Sequence, residues 1–130
     1  MRKLELPGRG PDKPTLDEED IELIREIGIG GVKEQAREIV RDKLSGESGR
    51  EGKETPRAGN PVYKAMHACH ADSRVKLSRA HRVPAGRDLT ESHVEAIVNM
   101  LTRWIAREYN FYMEEKEEKQ RSLSEFEREG

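Results

Sequence analysis

Val94, Ile97, Val98, Leu101, Trp104, Ile105 and Tyr112 recur at steps of three and four residues. That spacing is the period of one helix face, and no other stretch limits the fold as much. Apolar–polar alternation of the strand kind persists nowhere in the chain, so a sheet has no source. The expected fold is therefore mostly α: a single small domain of four to five helices, with a long C-terminal helix anchored by Trp104. A chain of 130 residues suits one domain. Core material is scarce, at 33% hydrophobic against 38% charged residues, close to the composition at which chains stay disordered. A compact core with frayed ends follows, and a homo-oligomer would relieve the shortage.

The other elements are read from caps and breakers. LPGRGPDKP puts three prolines and two glycines before Thr15, so residues 1–15 read as a flexible leader. Thr15 or Asp17 then caps a helix whose first turn is acidic. Leu16, Ile21 and Ile24, with Leu23 and Ile27, give its apolar side. Gly28, Gly30 and Gly31 interrupt it. IGIGG resembles a phosphate-cradling loop, but no strand precedes it and no GKS or GKT follows. It reads as a C-cap and turn between two helices, the second carrying Val32, Ala36, Ile39, Val40 and Leu44. Residues 45–59, rich in glycine and serine, read as a solvated loop. Asn60 and Pro61 open a short helix burying Val62, Ala65, Met66 and Cys69. Asp72 or Ser73 opens another, running to about Arg82. Thr90 caps the last helix, with His93 in place of the acid of a capping box. Residues 16–113 make the expected helical domain, and 114–130 a charged helical extension or disordered tail.

One cysteine cannot form an internal disulfide, and no secretory signal peptide is visible. No apolar run nears the roughly 18 residues of a membrane span. The expectation is a cytoplasmic protein that does not enter membranes.

The chemistry concentrates in Pro61–Arg87, which holds three of the four histidines and the only cysteine. Its six basic side chains face one acid, a surplus of five in a chain whose total is −2. Two readings compete. Arg74, Lys76, Arg79, Arg82 and Arg87 form a basic helix–turn segment suited to a nucleic-acid backbone. Stacking aromatics are absent from the stripe, so base reading is not expected. The bland alternative is a solvated basic face pairing with the acidic first and last helices. Alternatively, His67, Cys69, His70 and His81 offer zinc-type ligands. His67 and His70 share a helix face, whereas Cys69 points about 100–200° away from it. Their spacing fits neither a two-Cys, two-His finger nor an HExxH helix. The bland alternative is a small core cysteine and ordinary histidine hydrogen bonds. A Cys69–His70 dyad or a His67–His81 acid–base pair would be the enzymatic form. Adjacent helical side chains diverge, and no catalytic signature surrounds either pair. An enzyme is thus not the expected reading. A structural or adaptor role through the charged C-terminal helix is the remaining class.

Thr55-Pro56, Gly59-Asn60-Pro61-Val62, His67-Ala68, His81, Pro84, Gly86-Arg87, Leu89-Thr90 and Arg103-Trp104-Ile105 together resemble an uncharacterised prokaryotic family (DUF4186-like) known as a domain of unknown function. Its pattern runs TP-x-x-G-H-P-V, HATATCCR-x-C-L-x-K-W-H, G-I-P-K-G-R-x-L-T and M-R-W-I. The family's three cysteines look like zinc ligands, and without gaps they fall on Asp72, Ser73 and Lys76. The resemblance implies either that the metal is lost here or that a site is rebuilt from His67, Cys69, His70 or Asp72, and His81. It implies no activity.

Overall fold

The computed structural model describes residues 3–44 and 55–129, with side chains as far as Gln120. Four helices appear in the order α1 (Glu18–Leu44), α2 (Pro61–Ala68), α3 (Arg74–His81) and α4 (Glu91–Glu129). The described residues contain no strand. No helix among them is long and apolar enough to cross a membrane. The mostly α single domain read from the period of 94–112 is the fold observed. Ten residues of the glycine-rich loop, 45–54, lie outside the described residues.

α1, α2 and α4 form the core. Rim contacts of Arg41 with Glu91, Arg37 with Glu95 and Arg25 with Tyr109 give the direction of α1 against α4. Rising numbers on one helix meet falling numbers on the other, so the two run antiparallel. Between them lie the predicted faces. Val32, Ala36, Val40 and Leu44 are buried on α1, and Val94, Ile97, Val98, Leu101, Trp104 and Ile105 on α4. Each large side chain removed from water contributes roughly 1.5–3 kcal/mol. α2 closes the third side with Val62, Ala65 and Met66, all fully buried.

The glycines break the helix where the sequence places the break, but over a shorter stretch. Two helical segments of α1 meet at a kink at Gly28, where φ is 74° and ψ 167°, and Gly30 and Gly31 already belong to the second. That left-handed conformation suits glycine. At Gly31 a Cβ would lie 2.8 Å from the Ile27 Cβ, so the missing side chain lets the chain resume helical winding at once.

Every helix start has a side-chain cap. Asp17 and Asp20 exchange backbone-to-carboxylate hydrogen bonds at 3.0 and 3.1 Å. The Val62 N–H donates to Asn60 Oδ1, and the Lys76 N–H to Ser73 Oγ. At α4 the His93 N–H donates to Thr90 Oγ1, and the Thr90 N–H to His93 Nδ1. The imidazole therefore does the acid's part in the capping box.

Residues 3–14 form no regular element. They run along α4, with Leu4 buried and Leu6 packed on the core. α4 guanidiniums hold this stretch: Arg103 donates to the Leu4 carbonyl and Arg107 to that of Pro7.

Candidate functional site

Eight-residue helices are too short to hold themselves, so the α2–turn–α3 unit depends on its ends. Both close on a left-handed residue. The Ala71 N–H returns to the Met66 carbonyl and the His70 N–H to that of His67. At α3 the Val83 N–H returns to Leu77 and the Arg82 N–H to Ser78. The first is a Schellman closure and the second is of the αL kind, its Arg82 N–H reaching back four residues; each has a left-handed residue and a buried apolar pair. The left-handed residues are His70 (φ 56°) and Arg82 (φ 58°), neither of them glycine. Ala71 with Met66, and Val83 with Leu77, supply the buried pairs.

Polar side chains then bind these ends to the rest. Arg74, only 4% exposed, donates to the Leu44 carbonyl at 3.0 Å and to those of Pro84 and Arg87 at 2.6 Å. It thus sits at the negative C-terminus of α1 and fixes the loop after α3. Burial lowers its pKa, with Asp88 opposing. The His81 Nε2 lies 2.6 Å from the Cys69 carbonyl, and the His67 Nε2 lies 2.8 Å from that of Thr55. A carbonyl only accepts, so both nitrogens carry hydrogen. The Thr55 hydroxyl donates to the Asp72 carbonyl.

The basic stripe divides on this geometry. Arg74 faces inward because it precedes Leu77 by three residues and shares its buried side. Lys76 is exposed but donates to Asp72 at 2.8 Å. Arg79, Arg82 and Arg87 are exposed, and none forms an ion pair or side-chain hydrogen bond among the described residues.

The four suggested metal ligands do not come together. No group of three or more His, Cys, Asp or Glu side chains among the described residues is placed to share an ion. His70 lies beyond the end of α2 in a left-handed conformation, so it leaves the helix face it was expected to share with His67. Cys69 is fully buried. Burial pushes its thiol up to about 12, only partly opposed by Arg107 and Arg103, which suits neither a ligand nor a nucleophile. Of the positions aligned with the family's cysteines, Asp72 joins His67 to Lys76 in a polar cluster. Asp72 Oδ2 lies 3.2 Å from His67 Nδ1 and 2.8 Å from Lys76 Nζ. Ser73 caps α3.

Two further polar clusters join partners far apart in the sequence. Lys64 reaches from α2 to Asp17 and Asp20 at 3.0 and 2.5 Å. Burial alone would lower its pKa, but the bonds to Asp20 and Asp17 hold the ammonium above its ordinary value. Glu108, 4% exposed, takes both Arg9 Nε and Nη2, at 2.9 and 3.1 Å, with Arg107 beside it at 3.3 Å. The Arg9 guanidinium stacks 3.7 Å over Phe111. A small cleft opens there, lined by Gly8, Arg9, Ala68, Trp104, Arg107 and Glu108.

No solved structure matches the chain. A family model does, over residues 11–106, a span that holds α1 to α3, the Arg74 and His81 contacts and Trp104. The chain accordingly belongs to the family described as Domain of unknown function (DUF4186).

Proposed function

We propose that this domain contacts a nucleic-acid backbone through Arg79, Arg82 and Arg87, with Lys76 at the edge of the surface. One contrast supports the reading. Arg9, Arg37, Arg41, Lys64 and Arg107 are each spoken for by a carboxylate. The three guanidiniums of the α3 end and the loop beyond it have none among the described residues. Exposed cations left unpaired in a chain of net charge −2 suit a polyanion. Arg74 has no part in the contact itself; it holds the loop that carries Arg87. Phosphate contact of this kind positions without reading sequence.

Binding of duplex DNA and RNA, followed by anisotropy across a salt series, tests the reading. Three phosphate contacts predict a log–log slope of about −2.7. Arg79→Glu with Arg82→Glu should weaken binding at least tenfold and flatten the slope by about 2. Absent or salt-insensitive binding refutes it.

A protein-interaction role for α4 is the second reading. It rests on the run Glu114–Gln120, exposed throughout while still helical. Truncation after Met113 should then abolish capture of a partner and leave nucleic-acid binding unchanged.

A further inference from the structure

The stretch 3–10 sits on α2 and α4 as a peptide sits in a groove. It makes no backbone–backbone hydrogen bond to any element among the described residues; the turn from the Lys13 N–H to the Gly10 carbonyl is internal to the leader. What holds it is two leucines and three arginine contacts. Leu4 and Leu6 pack on the core. Arg103 and Arg107 take the carbonyls of Leu4 and Pro7, and Arg9 forks onto Glu108.

Two of those three contacts grip main-chain carbonyls, which any extended segment offers. The third recognises an arginine. The fit is also incomplete, because Arg103 Nε is buried beside the Leu4 carbonyl with no hydrogen-bond acceptor. A buried donor left unmet weakens the occupant that leaves it so. A separate gap of about 20 Å³ lies under residues 7–10, beside Trp104 and Glu108, room for about one water. The groove floor, Ala68, Arg103 and Trp104, lies within the residues matched by the family, whereas residues 3–10 and Glu108 lie outside them.

From this arrangement we infer that the α2–α4 groove is a peptide-binding site, occupied here by the chain's own leader. It takes an extended segment with leucines at alternate positions and an arginine three residues after the second. Leu4, Leu6 and Arg9 are the built-in example. The inference is independent of the basic α3 surface.

The test uses the full chain carrying Arg9→Glu, which sets two carboxylates against each other and frees the leader. A fluorescein-labelled peptide spanning residues 3–12 is the probe. Trp104, the single tryptophan, lines the cleft and reports release by a red shift of its emission. The variant should keep its helical circular dichroism and bind the probe. The wild-type chain should bind it at least tenfold more weakly, because its own leader competes at an effective concentration of about millimolar. Adding Glu108→Gln to the variant should weaken binding at least tenfold again.

Equal binding by both chains would overturn the inference. So would an unchanged Trp104 emission, or a released leader with no probe binding up to millimolar concentration. Arg9→Gln is the gentler control. If it too loses helical signal, the leader is part of the core and the groove is not a site.

Discussion

The α1–α4 seam and the α2–α3 unit hold together by different physics. The seam is redundant: a dozen or so apolar side chains share the burial, and exposed pairs such as Arg41–Glu91 decorate its rim. The α2–α3 unit is specific. Its α2 half shares the common core through Val62, Ala65 and Met66, but α3 and the loop after it bury only Leu77 and Val83 as apolar side chains. Instead, single side chains satisfy named carbonyls: Arg74 those of Leu44, Pro84 and Arg87, and His81 that of Cys69. A redundant interface should lose stability in proportion to the volume removed. A specific one should fail locally when one residue goes.

The largest effects make the sharpest test. Arg74→Met leaves three carbonyls without their charged donor and should cost about 3–5 kcal/mol. Trp104→Ala in the seam should cost a similar ~3–5 kcal/mol. The two should differ in place. Hydrogen exchange should show lost protection confined to α3 and residues 83–88 for Arg74→Met, and spread over α1 and α4 for Trp104→Ala. Identical exchange maps would collapse the distinction.

Removing the His81 ring should cost less, about 1–2 kcal/mol, since one carbonyl is left unmet. Denaturant unfolding of His81→Ala measures it. His70→Gly and Arg82→Gly should each go the other way. A left-handed conformation is strained for a residue with a Cβ and free for glycine, so each should stabilise by about 0.5–1 kcal/mol. A loss of stability would show that these side chains do more than close their helices.

His93 links the two regions, because it caps α4 while facing α3 and its loop. Burial, then Arg87 and Arg74, lower its pKa, and its cap needs the neutral ring to accept from Thr90. A folded pKa below the unfolded one adds stability that is present above the ordinary imidazole range. That stability is lost as pH falls through the folded value. Unfolding of wild type and His93→Gln between pH 8 and 5 should therefore show a gap that narrows on acidification. His93→Glu, which completes the ordinary box, should remove that dependence. The smallest effect belongs to the seam's rim, where Glu95→Ala should leave the melting temperature unmoved within error.

How much of this was readable depends on the range of each interaction. The register of α4 was legible because seven apolar residues repeat one period, and the caps because Asn60, Ser73 and Thr90 act within three residues of themselves. The glycines announced a break in α1 but not its economy, since a one-residue kink and a longer turn share composition. Arg74 reads in sequence as a surface cation beside Lys76, Arg79 and Arg82. The competing signal was its three-residue step to Leu77, which places it on the buried side. Glu108 carried a faint clue as well: it continues the buried steps Leu101, Trp104 and Ile105, where a charge needs a partner. That partner, Arg9, is 99 residues away, beyond the reach of any local pattern.

The pairing of α1 with α4 also has a consequence in time. The ribosome finishes Leu44 sixty residues before it adds Trp104. At about 5–20 residues per second, that interval is about 3–12 s. Throughout it, the apolar face Val32–Ala36–Val40–Leu44 has no α4 to cover it. The nascent chain must wait for its last helix before it can fold, and ribosome-bound chains stopped before and after residue 105 should differ sharply in protease resistance.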